Sequence, residues 1–266
     1  MAEDKLRLGA VGLTCRLIHG AARFPSPEVL AAALAASGTE MITVAVRRLH
    51  LDGDQRSELA ALDLSAYTVL PNTAGARTAA EAVRLARLAR ATGLSDFIKI
   101  EVVGDEETLL PDPIATLEAT RELVAEGFTV MPYCSDDVAL CLRLAEAGAT
   151  AVMPGAAPIG STLGVLNPFN IRAIINRSPV PTIVDAGLGS PGDAARVMEW
   201  GAAGVLVNTG IANARDPAAM AAAFSAAVAA GRAAYLAGLA EHRPEGGYGA
   251  SSPKDGVPAP LASATR

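Results

Sequence analysis

The sequence predicts a single (β/α)8 TIM barrel of the α/β class, on three observations. Eight short apolar, β-branched runs recur along the chain, and Ala-, Leu- and Arg-rich stretches of helical period separate them. The 266 residues, 51% of them hydrophobic, supply one core of barrel size without comfortable room for a second full domain. Parallel strands joined by crossover helices give this alternation, and eight is the number at which such a sheet closes on itself. An open doubly wound sheet alternates in the same way, so the count is what favours closure.

In chain order, residues 5–14 are expected to form a small hairpin capping the lower end of the barrel. Strand runs follow at 16–20, 41–46, 68–72, 97–102, 128–133, 151–154, 182–186 and 204–209. Helices are expected between them, among others over 78–91, 114–126, 138–147, 193–200 and 217–230. Gly127, Gly148 and Gly201 stand where helices should stop. The catalytic barrel is placed at 1–240. From 241 to 266 the composition turns to Pro, Gly, Ser and Ala without a period, which predicts a disordered tail.

A formal charge of -6 offers no basic footprint for nucleic acid or anionic lipid. The N-terminus is acidic, and no stretch offers about 18 uninterrupted apolar residues, so neither a signal peptide nor a spanning helix is expected. Cys15, Cys134 and Cys141 are odd in number and lack a CxxC pair, which points to a reduced, cytoplasmic setting. His19, His50 and His242 are scattered, and the acidic loop 104–107 reads as solvated surface, so no metal and no cofactor is expected.

In such a barrel the chemistry sits at the C-terminal strand ends. The fourth run, Phe97-Ile98-Lys99-Ile100-Glu101-Val102, puts Lys99 and Glu101 on the inward face. An inward lysine loses hydration, which is expected to lower its pKa and yield a neutral amine able to attack a ketone, with Glu101 moving protons on the imine. A purely structural buried ion pair is the alternative, and such pairs are costly. Asp185 ends the seventh run and is either a second acid/base or a cap for the following loop. Cys134 ends the fifth run, is expected to face the mouth, and has no histidine placed to activate it.

Gly187-Leu188-Gly189-Ser190-Pro191-Gly192 matches a dinucleotide fingerprint formally, but no acidic residue ends the next strand, and Ser190 with Asp193 reads as a capping box. What remains is an anion site on backbone N–H groups around Gly187 and Gly189, with a second set at Asn208 and Thr209, where barrels commonly hold a substrate phosphate. Ordinary tight turns are the alternative for either loop. Gly160 lies in another glycine-bearing loop able to approach a ligand closely.

Taken together, Thr43-Val44-Ala45-Val46-Arg47-Arg48, Leu70-Pro71-Asn72-Thr73-Ala74-Gly75, Ile98-Lys99-Ile100-Glu101-Val102, Leu109-Leu110-Pro111-Asp112-Pro113, Met131-Pro132-Tyr133-Cys134, Val152-Met153-Pro154, Val184-Asp185-Ala186-Gly187 and Asn208-Thr209 carry a resemblance. From about 15 to 240 the chain resembles thiazole synthase, the barrel enzyme family of bacterial thiamine biosynthesis. The resemblance implies that Lys99 condenses with 1-deoxy-D-xylulose 5-phosphate while Glu101 and Asp185 shuttle protons. It also implies that sulfur arrives as the thiocarboxylate of a small ThiS-like carrier protein, and that dehydroglycine completes the ring. Substrate contacts are implied at Gly160, Ala186, Gly187, Asn208 and Thr209, and a homotetramer is implied as the assembly.

The chain departs from the family pattern at His19-Gly20-Ala21-Ala22, at Gly155-Ala156, at Gly160-Ser161-Thr162 and at Ala76. These changes touch ligand-facing loops and spare the imine residues. They keep open a 2-thiosugar phosphate synthase that uses the same lysine and carrier sulfur on a hexose phosphate. A plain Schiff-base aldolase and an idle phosphosugar-binding scaffold are further readings.

Overall fold

A computed structural model describes residues 4–48 and 62–240. The segment 241–266 expected to be a tail lies outside the described residues, as do His50 and His242. The expected hairpin is present: β1 (Leu6–Leu8) and β2 (Val11–Leu13) pair antiparallel, Leu6 opposite Leu13. The chain then alternates through β3 (Leu17–Gly20), α1 (Pro27–Ser37), β4 (Met41–Ala45), β5 (Thr68–Asn72), α2 (Ala79–Ala91), β6 (Phe97–Ile100), α3 (Pro113–Ala125), β7 (Thr129–Cys134), α4 (Val138–Glu146) and β8 (Met153–Pro154). It continues through α5 (Pro168–Arg177), β9 (Ile183–Val184), α6 (Pro191–Glu199), β10 (Gly204–Val207), α7 (Thr209–Ala212) and α8 (Pro217–Ala237).

The eight longer-range strands pair in parallel in the order β8-β7-β6-β5-β4-β3-β10-β9. The two free edges meet: parallel bridges join Val152 to Thr182 and Gly155 to Asp185. There the Ile183 N–H donates to the Val152 carbonyl at 2.9 Å and the Asp185 N–H to the Pro154 carbonyl at 3.0 Å. The sheet is therefore a closed barrel, as the strand count predicts.

Local sequence explains where the helices begin. Ser26-Pro27, Asp112-Pro113, Asn167-Pro168, Ser190-Pro191 and Asp216-Pro217 each place a side-chain cap before a proline. The cap oxygen takes an N–H of the first turn, and proline removes a donor that would have had no partner there. This is why α6 starts at Pro191 rather than at 193. At the other end, α8 runs past the expected stop at 230 because Gly231 is an interior residue, not a terminator. A Cβ on Gly231 would lie 2.4 Å from the Ala195 carbonyl oxygen, so glycine permits α8 to press on α6. Among the described residues α8 is the one helix long and apolar enough to cross a membrane, yet it packs on α1 and α6 with Phe224 and Val228 buried.

The inward face of the barrel is layered by the two-residue period of its strands. Ile18, Met41, Leu70, Phe97, Met131, Ile183 and Leu206 form the lower layer and pack on the hairpin leucines Leu6, Leu8 and Leu13. Two residues further on, the same strands present Gly20, Thr43, Asn72, Lys99, Tyr133, Asp185 and Asn208. One apolar layer thus seals the bottom, and a mostly polar one faces the open end.

His19 alternates with Ile18 and Gly20 and so points out of the barrel wall, against Phe24 with ring centroids 5.7 Å apart. It is fully buried; Nδ1 donates to the Gly20 carbonyl at 2.7 Å, and Nε2 has no partner. Burial pulls its pKa down to about 4. The unfolded chain takes up this proton near pH 6.5, whereas the folded chain refuses it until about pH 4. Stability is therefore complete above pH 6.5 and falls as the pH drops through that window, by roughly 2–3 kcal/mol at pH 4.5. Denaturant titrations at pH 7 and 4.5 should show a smaller acid loss for His19→Leu than for the unsubstituted chain. Equal losses in both proteins would remove His19 as the source.

Candidate active site

A cavity of about 820 Å³ opens at the C-terminal end of the barrel strands. Lys99, Glu101, Gly160, Ala186, Gly187, Asn208 and Thr209 line it together with Asp185, so the structure brings these expected site residues into one place. Gly189 is set back from it.

Lys99 projects inward because Ile98 and Ile100, its neighbours on β6, are committed to the apolar layer under α2 and α3. Its Nζ lies 3.0 Å from Glu101 Oε1 and 2.5 Å from Asp185 Oδ2. The face of the Tyr133 ring stands 5.4 Å away. Lys99 is 4% exposed and Asp185 3%. Asp185 reaches the lysine from across the barrel, and its other oxygen accepts the Ala186 N–H at 2.6 Å. Glu101 is held by its own backbone. The Thr73 hydroxyl donates to the Glu101 carbonyl and accepts its N–H, both at 2.8 Å, where strand pairing has ended.

The expected lowering of the Lys99 pKa is corrected by this geometry. Burial does push it down, but the charges of Asp185 and then Glu101, with their hydrogen bonds, more than offset that push, and the net direction is upward. Burial raises the Asp185 pKa, and the adjacent Lys99 offsets this only in part. The two directions agree physically, because one ammonium between two carboxylates leaves a buried trio with one negative charge in excess. The excess of negative charge favours the protonated forms of Lys99 and Asp185. The two carboxylates favour the charged form of the amine, and a carboxylate with a raised pKa is well matched to relieve it of a proton.

Three further residues of the same layer, Thr43, Asn72 and Tyr133, were not singled out from sequence. Asn72 Nδ2 donates to Thr43 Oγ1 at 3.0 Å, and its Oδ1 accepts the Ala74 N–H at 3.2 Å, so the pair forms a fixed polar wall beside Lys99. Asn72 and Tyr133 are inward polar residues close to the ends of apolar runs, where the test that selected Lys99 would have found them, whereas Thr43 lies in the middle of its strand.

The loops after β8 and β9 interlock. A Cβ on Gly187 would lie 2.6 Å from the Ala157 nitrogen, and one on Gly189 2.3 Å from the Thr162 carbonyl oxygen. The Gly164 N–H donates to the Gly187 carbonyl at 2.8 Å. The N–H groups of Gly189 and Ser190 both donate to the Asp193 carboxylate, which completes the expected capping box and fills this helix N-terminus with the chain's own anion. After β10, the Asn208 side chain lies across Gly20 and accepts the Ala22 N–H at 3.3 Å. Among the described residues, the non-glycine positions of positive φ are Arg23, Leu109, Thr162 and Ala186, and all line the cavity. Backbone strain is thus concentrated at the mouth. Cys134, expected to face the mouth, instead points outward beneath α4, its Sγ 3.5 Å from Cys141 Sγ, because on β7 the inward place is Tyr133's. Among the described residues, no group of three or more His, Cys, Asp or Glu stands together as metal ligands would.

Comparison with known proteins identifies the family. The family model described as "Thiazole biosynthesis protein ThiG" matches residues 7–253. The chain belongs to the ThiG family. Thiazole synthase of Bacillus licheniformis is 53% identical over 253 residues, covering 94% of this chain and 98% of that protein. Thiazole synthase of Bacillus subtilis is 52% identical over 255 residues, with 95% and 98% covered. The crystal structure of the Amycolatopsis orientalis BexX/CysO complex superposes with a TM-score of 0.80 at 33% identity, covering 89% of this chain and 97% of that one. The activity that comes with ThiG membership is that of a thiazole synthase, an enzyme of thiamine biosynthesis.

Proposed function

We propose that this thiazole synthase works through an imine between Lys99 and the ketone of 1-deoxy-D-xylulose 5-phosphate. The observation that carries the reading is a buried lysine amine held between two carboxylates at the base of the mouth cavity. As the sugar phosphate enters, the ammonium passes a proton to Asp185, and the freed amine attacks the carbonyl carbon. The carbinolamine then loses water to give the imine, its oxygen leaving with protons supplied by the carboxylates. Glu101 and Asp185 next move protons between carbon and nitrogen as the imine tautomerises. The phosphate rests on the backbone of the mouth loops at Gly160, Ala186, Gly187, Asn208 and Thr209. Gly189 and Asp193 brace those loops from behind.

Sulfur then comes from the C-terminal thiocarboxylate of a ThiS-like carrier protein, a reading favoured by the relative that is seen in complex with CysO. Dehydroglycine closes the ring. The assembly proposed is a homotetramer in the cytoplasm, and the scheme calls for no metal.

Borohydride trapping with pentulose and hexose phosphates, followed by mass analysis of the peptide bearing Lys99, tests the proposal. A pentulose adduct on Lys99 is the expected result. A hexose adduct alone would transfer the chain to 2-thiosugar phosphate synthesis, against which stand the relatives of 52–53% identity that are named thiazole synthases. Normal ligand binding with no adduct would leave a scaffold.

A further inference from the structure

We infer that Arg47 and the backbone of Gly75 form a carboxylate site at the rim of the cavity, separate from the loops proposed for the sugar phosphate. This inference rests on the imine reading and assigns the binding of a second reactant at the same site. Arg47 follows β4 in the short 3-10 turn Val46–Arg48 and lines the cavity. Its guanidinium occupies the place where a side chain on Gly75 would be: a Cβ there would lie 2.1 Å from Arg47 Cζ. Gly75 has φ of 88°, so its backbone favours glycine, and the missing side chain leaves the room that the guanidinium takes. None of the ion pairs among the described residues includes Arg47. A cation with no carboxylate partner among the described residues, in a chain with 28 acidic residues against 22 basic ones, lining a cavity, suits an anionic ligand.

Position narrows what that ligand is. Ala45 lies opposite Asn72, and Asn72 opposite Lys99, so Arg47 and Gly75 stand just beyond the strand ends on the wall that carries the lysine. The loops proposed for the phosphate come instead from β8, β9 and β10. A molecule held at Arg47 therefore approaches the Lys99 imine from another side than the sugar phosphate tail. A planar guanidinium fork matches a planar two-atom anion, a carboxylate or thiocarboxylate. Two of the proposed reactants carry one: dehydroglycine and the C-terminus of the sulfur carrier.

The test compares Arg47→Gln and Arg47→Lys with the unsubstituted chain. Turnover is measured while thiocarboxylated carrier is varied at saturating glyoxylate and ammonia, which condense to dehydroglycine with loss of water, and then the reverse. The trapped Lys99 adduct should be unchanged in both variants. The KM for one of the two varied reactants should rise at least about tenfold in Arg47→Gln, and less in Arg47→Lys. The reactant whose KM moves identifies which carboxylate binds there. Unchanged KM for both reactants overturns the inference, as does a trapped adduct that falls in step with turnover, which would put Arg47 on the sugar phosphate. Absence of an adduct in the unsubstituted chain would count against the imine alone, because the KM comparison does not depend on trapping.

Discussion

Lys99→Ala should yield no trapped adduct and lower turnover by at least roughly 10⁴-fold, since a residue that forms a covalent intermediate has no substitute within reach. The same change removes the one cation from a trio in which Asp185 is 3% exposed. An uncompensated buried charge costs on the order of 3 kcal/mol, so Lys99→Ala should also melt earlier. Lys99→Arg separates the two effects. It keeps the positive charge between Glu101 and Asp185 and much of the stability, but a guanidinium cannot serve as an amine nucleophile. Turnover should therefore be lost in both variants, with the melting temperature largely recovered in the arginine one. Measurable turnover in either variant, above a level set by free lysine-like amines in the assay, would end the imine reading.

Asp185→Asn is the second large effect. The proton that leaves the Lys99 ammonium loses its nearest acceptor, 2.5 Å away, and loss of a general base typically costs 10²–10⁴-fold in rate. The sign of the accompanying pH change follows from the same geometry. Asp185 is the stronger of the two carboxylate influences that hold the Lys99 pKa up against burial, so its removal lets burial pull that pKa down. The neutral amine then becomes available at lower pH, and the rising limb of adduct formation against pH should move in the acid direction. A limb that moves to higher pH, or a rate within tenfold of the unsubstituted enzyme, would exclude this role for Asp185.

Much of this was legible in the sequence, and the gaps have physical reasons. The hairpin and the eight strands could be read because each is a short apolar run set off by turn or helix signals, and the count of eight favours closure. Lys99 and Glu101 could be read because two-residue spacing on one strand fixes a shared face. Asp185 stood evenly between acid/base and loop cap. What brings it to Lys99 is the curvature of the whole barrel, since β6 and β9 lie far apart in the chain and do not pair. The direction of the Lys99 pKa is hidden from the sequence for the same reason: burial alone lowers it, and the sign reverses only once two carboxylates stand within 3.0 Å. The glycines of the fingerprint-like loop also concealed their use. Gly189 is small because Thr162 presses on it, and Asp193 takes the N–H groups that an outside anion would have needed.

The ring of strands is completed by its two shortest members, and Asp185 forms the last bridge of that joint, to Gly155. The carboxylate that meets Lys99 is thus mounted on the clasp of the molecule rather than on its hoop. Any fluctuation that parts the clasp draws acid from amine while the other strands remain paired, so the enzyme can fall silent well before it unravels.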